Sequence, residues 1–315
     1  MTMSTFAFVF PGQGSQAIGM MDGLAEEFPL VRETFVQASE VLGYDLWELV
    51  HQGPETELNQ TARTQPAMLA AGVATWRVWQ QQGGPLPAFM AGHSLGEYTA
   101  LVCAQSLSYE AALSLVEQRG QLMQAAVAPG EGAMAAVLGL DDERVRLVCR
   151  EAAQGDVVEA VNFNSPGQVV IAGQTAAVDR ALDLARDAGA KRAVILPVSV
   201  PSHCSLMKDA AGKLRAQLDH VTVSTPIIPV INNVDVESGR DSEAIRDTLS
   251  RQLYQPVRWV ETIRKMQTDG VTAIVECGPG KVLAGLCRRI DRQLSAMAVV
   301  DRSSLQQALE ACHGE

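Results

Sequence analysis

The chain predicts an α/β fold: a large unit built on a parallel sheet, with a small unit inserted into it. Three observations carry this. Short apolar runs alternate with amphipathic helical patterns along the 315 residues, beginning with Phe6-Ala7-Phe8-Val9-Phe10. From about Gly132 the rhythm changes to strand–helix–strand–strand–helix–strand, the ferredoxin-like order. A glycine-bracketed serine, Gly92-His93-Ser94-Leu95-Gly96, stands between a strand pattern and a helix pattern.

The elements follow in order. Phe6–Phe10 is too short for a signal-peptide core and stops at Pro11, so it reads as a buried parallel strand. Leu69 to Gln80 reads as a helix that ends before Gly83-Gly84-Pro85. Ala88–Ala91 is a short strand, Leu95–Cys103 begins a helix, and Tyr109 to about Ala125 forms another. In the insert, Ala133–Leu138 is a strand, and Asp141–Ala153 is a helix capped by Asp141 or Asp142. Val157–Val161 and Gln168–Ala172 are strands joined by a turn-rich loop, Asn162 to Gly167. Ala176–Ala188 is helical, with Val178, Ala181, Leu182 and Ala185 on one face and Gly189 as its stop, and Ala193–Leu196 is the last strand. The expected division is 129–198 for the small unit, with 1–128 and 199–315 forming the large one.

Composition excludes several classes of function. Apolar residues make up 47% and charged residues 19%, the balance of a globular protein rather than a disordered one. A net charge of −11 with 5% aromatics argues against nucleic acid, which needs a basic field and stacking platforms. No stretch is long enough to span a membrane. The six cysteines, Cys103, Cys149, Cys204, Cys277, Cys287 and Cys312, show no C-x-x-C pair and no zinc spacing. They read as reduced thiols, and the expectation is a cytoplasmic monomer with no metal.

Chemistry concentrates in a few motifs. A serine in G-x-S-x-G between strand and helix is a nucleophile elbow: the turn is so tight that its flanks must be glycine, and the serine oxygen projects above the sheet. The Leu95 N–H, at the helix start, can then hold an oxyanion. A serine nucleophile needs a base. Of His51, His93, His203, His220 and His313, the first reads as a loop residue, His313 as a tail residue, His220 as a solvated or capping residue at a helix end, and His93 as a packing or hydrogen-bonding residue. His203 follows Val198-Ser199-Val200-Pro201-Ser202, where the small unit returns to the large one; it is either the base or a structural histidine. Phe10-Pro11-Gly12-Gln13-Gly14-Ser15-Gln16-Ala17 formally fits a dinucleotide fingerprint. Pro11 and the lack of a second strand ending in an acidic residue speak against that, and the loop reads instead as presenting the Gln13 N–H to the same anion as Leu95. Arg119, in Glu117-Gln118-Arg119-Gly120, shares a helix face with Leu115, Leu122 and Met123; once buried, it either pairs with Glu110 or Glu117 or clamps a substrate carboxylate. Cys277-Gly278-Pro279-Gly280-Lys281 lacks the P-loop spacing and reads as a turn before the last large helix.

These motifs together resemble the malonyl-CoA:acyl carrier protein transacylases of bacterial fatty acid synthesis. P-G-Q-G-S-Q, G-H-S-L-G-E, Q-R-G, N-F-N-S-P-G-Q, V-P-S-H and R-Q-L-Y carry the resemblance across nearly the whole chain. It implies an α/β-hydrolase-like large domain with a ferredoxin-like insert. It also implies Ser94 as nucleophile, His203 as its base, Gln13 and Leu95 as oxyanion donors, and Arg119 as the clamp on the malonyl carboxylate. Gln252 is implied as a residue holding the histidine and the pocket, in a Ser–His dyad without a carboxylate behind the histidine.

The implied reaction is ping-pong transfer of malonyl from malonyl-CoA to acyl carrier protein, with no cofactor. A serine esterase or thioesterase would share Ser94 and His203 but leave Arg119 without an anion. A carrier-binding scaffold would take up no acyl group, and polyketide or malonate decarboxylase systems share the chemistry. Because acyl carrier proteins are acidic, as this chain is, docking needs a local basic surface. Lys191, Arg192, Lys208, Lys213, Lys281, Arg288 and Arg289 are the candidates.

Overall fold

The computed structural model describes residues 5–198, 200–239 and 241–313. The chain opens with β1 (Phe6–Phe10), α1 (Asp22–Ala25), α2 (Pro29–Leu42), α3 (Leu46–Gln52), α4 (Glu55–Leu58) and α5 (Thr61–Gln81). Next come β2 (Phe89–Gly92), α6 (Gly96–Cys103) and α7 (Tyr109–Ala125). The middle segment holds β3 (Gly132–Leu138), α8 (Asp142–Ala153), β4 (Val158–Ser165), β5 (Gln168–Gln174), α9 (Thr175–Asp187) and β6 (Arg192–Ile195). The rest comprises α10 (Lys208–Leu218), β7 (Val230–Ile231), α11 (Ser242–Arg251), α12 (Trp259–Thr268), β8 (Ala273–Cys277), α13 (Val282–Ile290), β9 (Ser295–Val299) and α14 (Arg302–His313).

Five strands pair in parallel in the order β7-β2-β1-β8-β9. The central place of β1 explains its unbroken apolar run, since a parallel strand covered on both faces has no polar side. Phe6, Phe8 and Phe10 pack with α2, α5, α6 and α7, while Ala7 and Val9 face α12 and α13. Phe8 meets Trp76 and Trp79 edge-on at 5.4 and 5.0 Å between ring centroids, an arrangement favoured by the ring quadrupoles.

The other four strands form an antiparallel sheet in the order β4-β5-β3-β6. α8 and α9 cover one face, burying Val145, Val148, Val178 and Leu182 against Ala135, Val137 and Ile171. Asp141, rather than Asp142, caps α8 by accepting the Arg144 N–H at 2.8 Å. The opposite face, with Met134, Val161, Val170 and Ala172, packs against Cys204. A bridge between Asn162 and Val257 ties β4 to the large unit. The expected boundary at Ser199 lies outside the described residues.

Tertiary context moved several boundaries. α5 starts at Thr61, eight positions before Leu69, and carries Pro66 in its interior. Thr61, Thr64, Gln65 and Pro66 are all buried, and packing outweighs the poor helix propensity of threonine and proline. β4 runs on to Ser165, so the expected loop shrinks to Pro166-Gly167; two register shifts absorb the mismatch with β5. α13 is followed by the longer α14, whose last turn contains His313. His51 lies at the end of α3, with Nδ1 2.8 Å from Asp22. Among the described residues no helix is long and apolar enough to cross a membrane.

Candidate active site

β1, β2 and β7 all deliver loops to one edge of the parallel sheet, the place where open α/β sheets expose backbone groups to a ligand. The turn after β2 is the tightest of them. Ser94 sits in the left-handed region at φ 53, a strained position for a residue with a side chain. A Cβ on Gly92 would lie 1.8 Å from the carbonyl carbon of Gly96, and one on Gly96 would lie 2.0 Å from the Phe10 oxygen. The glycine requirement is therefore steric at both positions. Asn233, fully buried just after β7, closes the turn: its Oδ1 accepts the Ser94 N–H at 2.7 Å and its Nδ2 donates to the Gly92 oxygen at 2.7 Å. The Leu95 N–H has no protein acceptor among the described residues.

Arg119 reaches the serine from α7 and is 1% exposed. Gly120 permits this, because a Cβ there would lie 2.6 Å from the Ala62 Cα; α7 crosses the first turn of α5 in near contact. The guanidinium donates through Nη1 to Gln65 Oε1 at 2.8 Å. Through Nη2 it donates to Gln252 Oε1 at 3.0 Å and to Ser94 Oγ at 3.1 Å. Its plane lies over the Tyr98 ring at 5.4 Å, and Nε has no hydrogen-bond partner among the described residues. Glu117 pairs with Arg63 instead, at 3.3 Å. The carboxylate whose charge acts on Arg119 is Glu97, 2% exposed, which accepts from Gln252 Nε2 at 2.8 Å and from the Asn233 N–H at 2.9 Å. Burial pushes the Glu97 carboxyl up to about 7 and pulls the guanidinium below its usual range; an arginine nevertheless stays charged at working pH.

His203 is 3% exposed and also left-handed, at φ 66. Its backbone N–H donates to the Leu253 oxygen at 2.9 Å, and Nδ1 lies 2.7 Å from the Gln252 carbonyl oxygen. A carbonyl only accepts, so the proton belongs on Nδ1 and Nε2 is left as a bare acceptor. Burial first, and the Arg119 charge second, push this imidazole down to about 3, which keeps it neutral over the physiological range. No hydrogen bond joins His203 to Ser94 among the described residues; the serine hydroxyl accepts from Arg119.

Ser94, Leu95, Arg119, His203 and Gln13 line one cleft of about 430 Å³, whose far wall is Met134, Asn162 and Leu196 of the antiparallel sheet and its exit. Gln13 is half-buried, its side chain 3.4 Å from Thr61 Oγ1, and its N–H has no protein acceptor among the described residues. A hydroxyl on a strained turn, a neutral imidazole, a fixed cation and two free N–H groups thus face one volume. Such a set can bind an acyl group that carries a carboxylate and open its carbonyl to attack.

A family model described as the acyl transferase domain matches residues 7–304. The chain belongs to the acyl transferase domain family. It is 58% identical over 308 residues to the malonyl CoA-acyl carrier protein transacylase of Escherichia coli K12, covering 98% of this chain and 100% of that relative. Among solved structures it resembles an acyl carrier protein S-malonyltransferase from Vibrio cholerae, at TM-score 0.95 and 60% identity, covering 97% of this chain and 100% of that one. It also resembles a malonyl-transacylase solved in complex with a type II PKS acyl-carrier protein, at TM-score 0.97 and 59% identity over 98% and 99% of the two chains.

In this acyl transferase the six residues singled out from the sequence converge. Five line the cleft, and Gln252 is buried beneath it, bonded to Arg119 by its side chain and to His203 by its carbonyl. His93 is a packing residue, its ring 5.5 Å from Trp259 and its Nε2 2.8 Å from Asn164 Oδ1. Gln65, Asn233 and the inward-facing role of Glu97 went unread. Glu97 had a signal, as the one charged residue of its helix, one turn past the serine. Gln65 and Asn233 had none, because their partners lie 54 and 139 residues away.

Proposed function

We propose that this acyl transferase moves a malonyl group from coenzyme A to the phosphopantetheine thiol of acyl carrier protein through a malonyl ester on Ser94. The observation that carries the reading is the 3.1 Å separation of Arg119 Nη2 from Ser94 Oγ. In malonyl one methylene separates the reacting carbonyl from the free carboxylate, so both ends find their partner at once. A neutral acyl group would leave a buried cation unpaired, which speaks against a general esterase or thioesterase.

The geometry supports the following roles. Ser94 Oγ attacks the thioester carbon while His203 Nε2 takes its proton, and the Gln252 carbonyl on Nδ1 stabilises the resulting imidazolium. The Leu95 and Gln13 N–H groups, free of protein acceptors among the described residues, hold the oxyanion. The carbon–sulfur bond breaks, and His203 returns the proton to the coenzyme A sulfur. The thiol of acyl carrier protein then loses its proton to His203 and attacks the ester carbonyl; the carbon–oxygen bond breaks, and His203 returns the proton to Ser94 Oγ. No step calls for a cofactor. The Arg119 hydrogen bond on Ser94 Oγ yields when the malonyl carboxylate takes Nη2, freeing the hydroxyl for His203.

We read the parallel sheet as an α/β-hydrolase-like domain formed by residues 1–128 and 199–315, and 129–198 as a ferredoxin-like insert. The strand order β4-β5-β3-β6 with both helices on one face supports the second reading. The motifs and the full-length match to the Escherichia coli relative support a place in fatty acid biosynthesis. The deciding experiment is intact-protein mass spectrometry after mixing with malonyl-CoA alone. A stable malonyl adduct that disappears in Ser94→Ala, and moves to acyl carrier protein when that is added, is the expected result. Free malonate without an adduct would mean hydrolysis, and an adduct on the Ser94→Ala protein would remove Ser94 from the reaction.

A further inference from the structure

One buried carboxylate stands behind the whole constellation. Glu97 lies in the first turn of α6, makes no ion pair among the described residues, and receives two hydrogen bonds on the same oxygen, Oε2. One comes from Asn233, whose side chain grips Ser94 N–H and the Gly92 oxygen. The other comes from Gln252 Nε2. Gln252 in turn offers Oε1 to Arg119 and its backbone carbonyl to His203.

The Gln252 amide could sit in its slot either way round, and its neighbours decide which. Glu97 Oε2 already accepts the Asn233 N–H and a guanidinium only donates, so Nε2 faces Glu97 and Oε1 faces Arg119. With the Glu97 acceptor gone, Nε2 keeps only the Ser94 carbonyl at 3.1 Å. A reversed amide would then set a donor against Arg119 Nη2 and push the guanidinium off the serine. Resting on the malonyl-transfer reading, we infer that Glu97 is a positioning residue for malonyl selection: it orients the Gln252 amide and thereby aims Arg119 at the acyl pocket. Through Gln252 and Arg119 its effect falls on the carboxylate end of the substrate and changes the malonyl-to-acetyl ratio, whereas its bond to Asn233 bears on the elbow and touches both substrates alike.

The test compares loading of the full-length protein from malonyl-CoA and from acetyl-CoA, by rapid quench and intact mass, for the parent, Glu97→Ala and Glu97→Gln. Glu97→Ala should lower the malonyl-to-acetyl ratio of kcat/KM by roughly tenfold or more, the scale of a lost hydrogen bond to a charged group. Glu97→Gln keeps an acceptor where Oε2 stood and should restore most of the ratio. If the alanine variant does not fold, Glu97→Asp, whose carboxylate is drawn back from Gln252, gives the same readout. A parallel fall of both substrates, or an unchanged ratio in the alanine or aspartate variant, would overturn the inference and leave Glu97 as a support of the fold. Failure of the parent itself to load malonyl would instead overturn the transfer reading.

Discussion

Replacing Arg119 with alanine should separate the two acyl groups sharply. The guanidinium is 1% exposed, and Nη2 stands 3.1 Å from Ser94 Oγ. A malonyl carboxylate held there is about 4 Å from the cation; at an effective dielectric of ~20 that attraction is roughly 4 kcal/mol, or about a thousandfold in rate. The same cation is a penalty for acetyl, which brings no charge to pair with it. Malonyl loading by Arg119→Ala should therefore fall by about three orders of magnitude, while acetyl loading holds or rises. The substitution also strips Gln65 Oε1 and Gln252 Oε1 of their donor. Each such loss costs about 1–3 kcal/mol of stability, so loading should be read well below the variant's own Tm. The assay is single-turnover mass spectrometry with both thioesters under identical conditions. Equal losses for malonyl and acetyl would show that Arg119 supports the fold or the elbow rather than the carboxylate.

Further outcomes follow from the same geometry. His203 is held down first by burial and second by the Arg119 charge, so Arg119→Ala should raise its pKa and move the acid limb of acetyl loading to higher pH; an unmoved limb would remove His203 as the titrating base. Asn233→Ala loses both bonds that close the elbow and should slow malonyl and acetyl loading together, a pattern opposite to that of Arg119→Ala. All six cysteines are buried, and burial pushes the Cys204 thiol, next to His203, up to about 12. The native protein should thus keep its activity through thiol alkylation at neutral pH, and rapid inactivation would reopen the choice of nucleophile. Charge reversal at Lys208 and Lys213, both exposed on α10, should raise the apparent constant for acyl carrier protein at low salt and leave malonyl loading unchanged. No effect there would turn attention to Lys191 and Arg192. Arg288 and Arg289 are less free, since they already bond the Ala296 oxygen and Gln168.

What the sequence alone determined is local. The apolar run Phe6–Phe10, the glycines around Ser94 and the stripe on α9 each state their structure within one strand, turn or helix, because sterics and periodicity act over a few residues. The candidate site residues were readable for the same reason: Ser94, His203 and Arg119 all lie in short, distinctive segments. Tertiary structure decided everything that depends on two distant segments meeting. It extended α5 through Pro66 and β4 through Asn162, because burial and strand pairing outweigh local propensity. It placed the Gln252 carbonyl against His203 and so chose the imidazole's tautomer. It also set Glu97 behind Gln252, 155 residues away along the chain. A buried polar group is defined by its partners, and no window of sequence contains both members of such a pair.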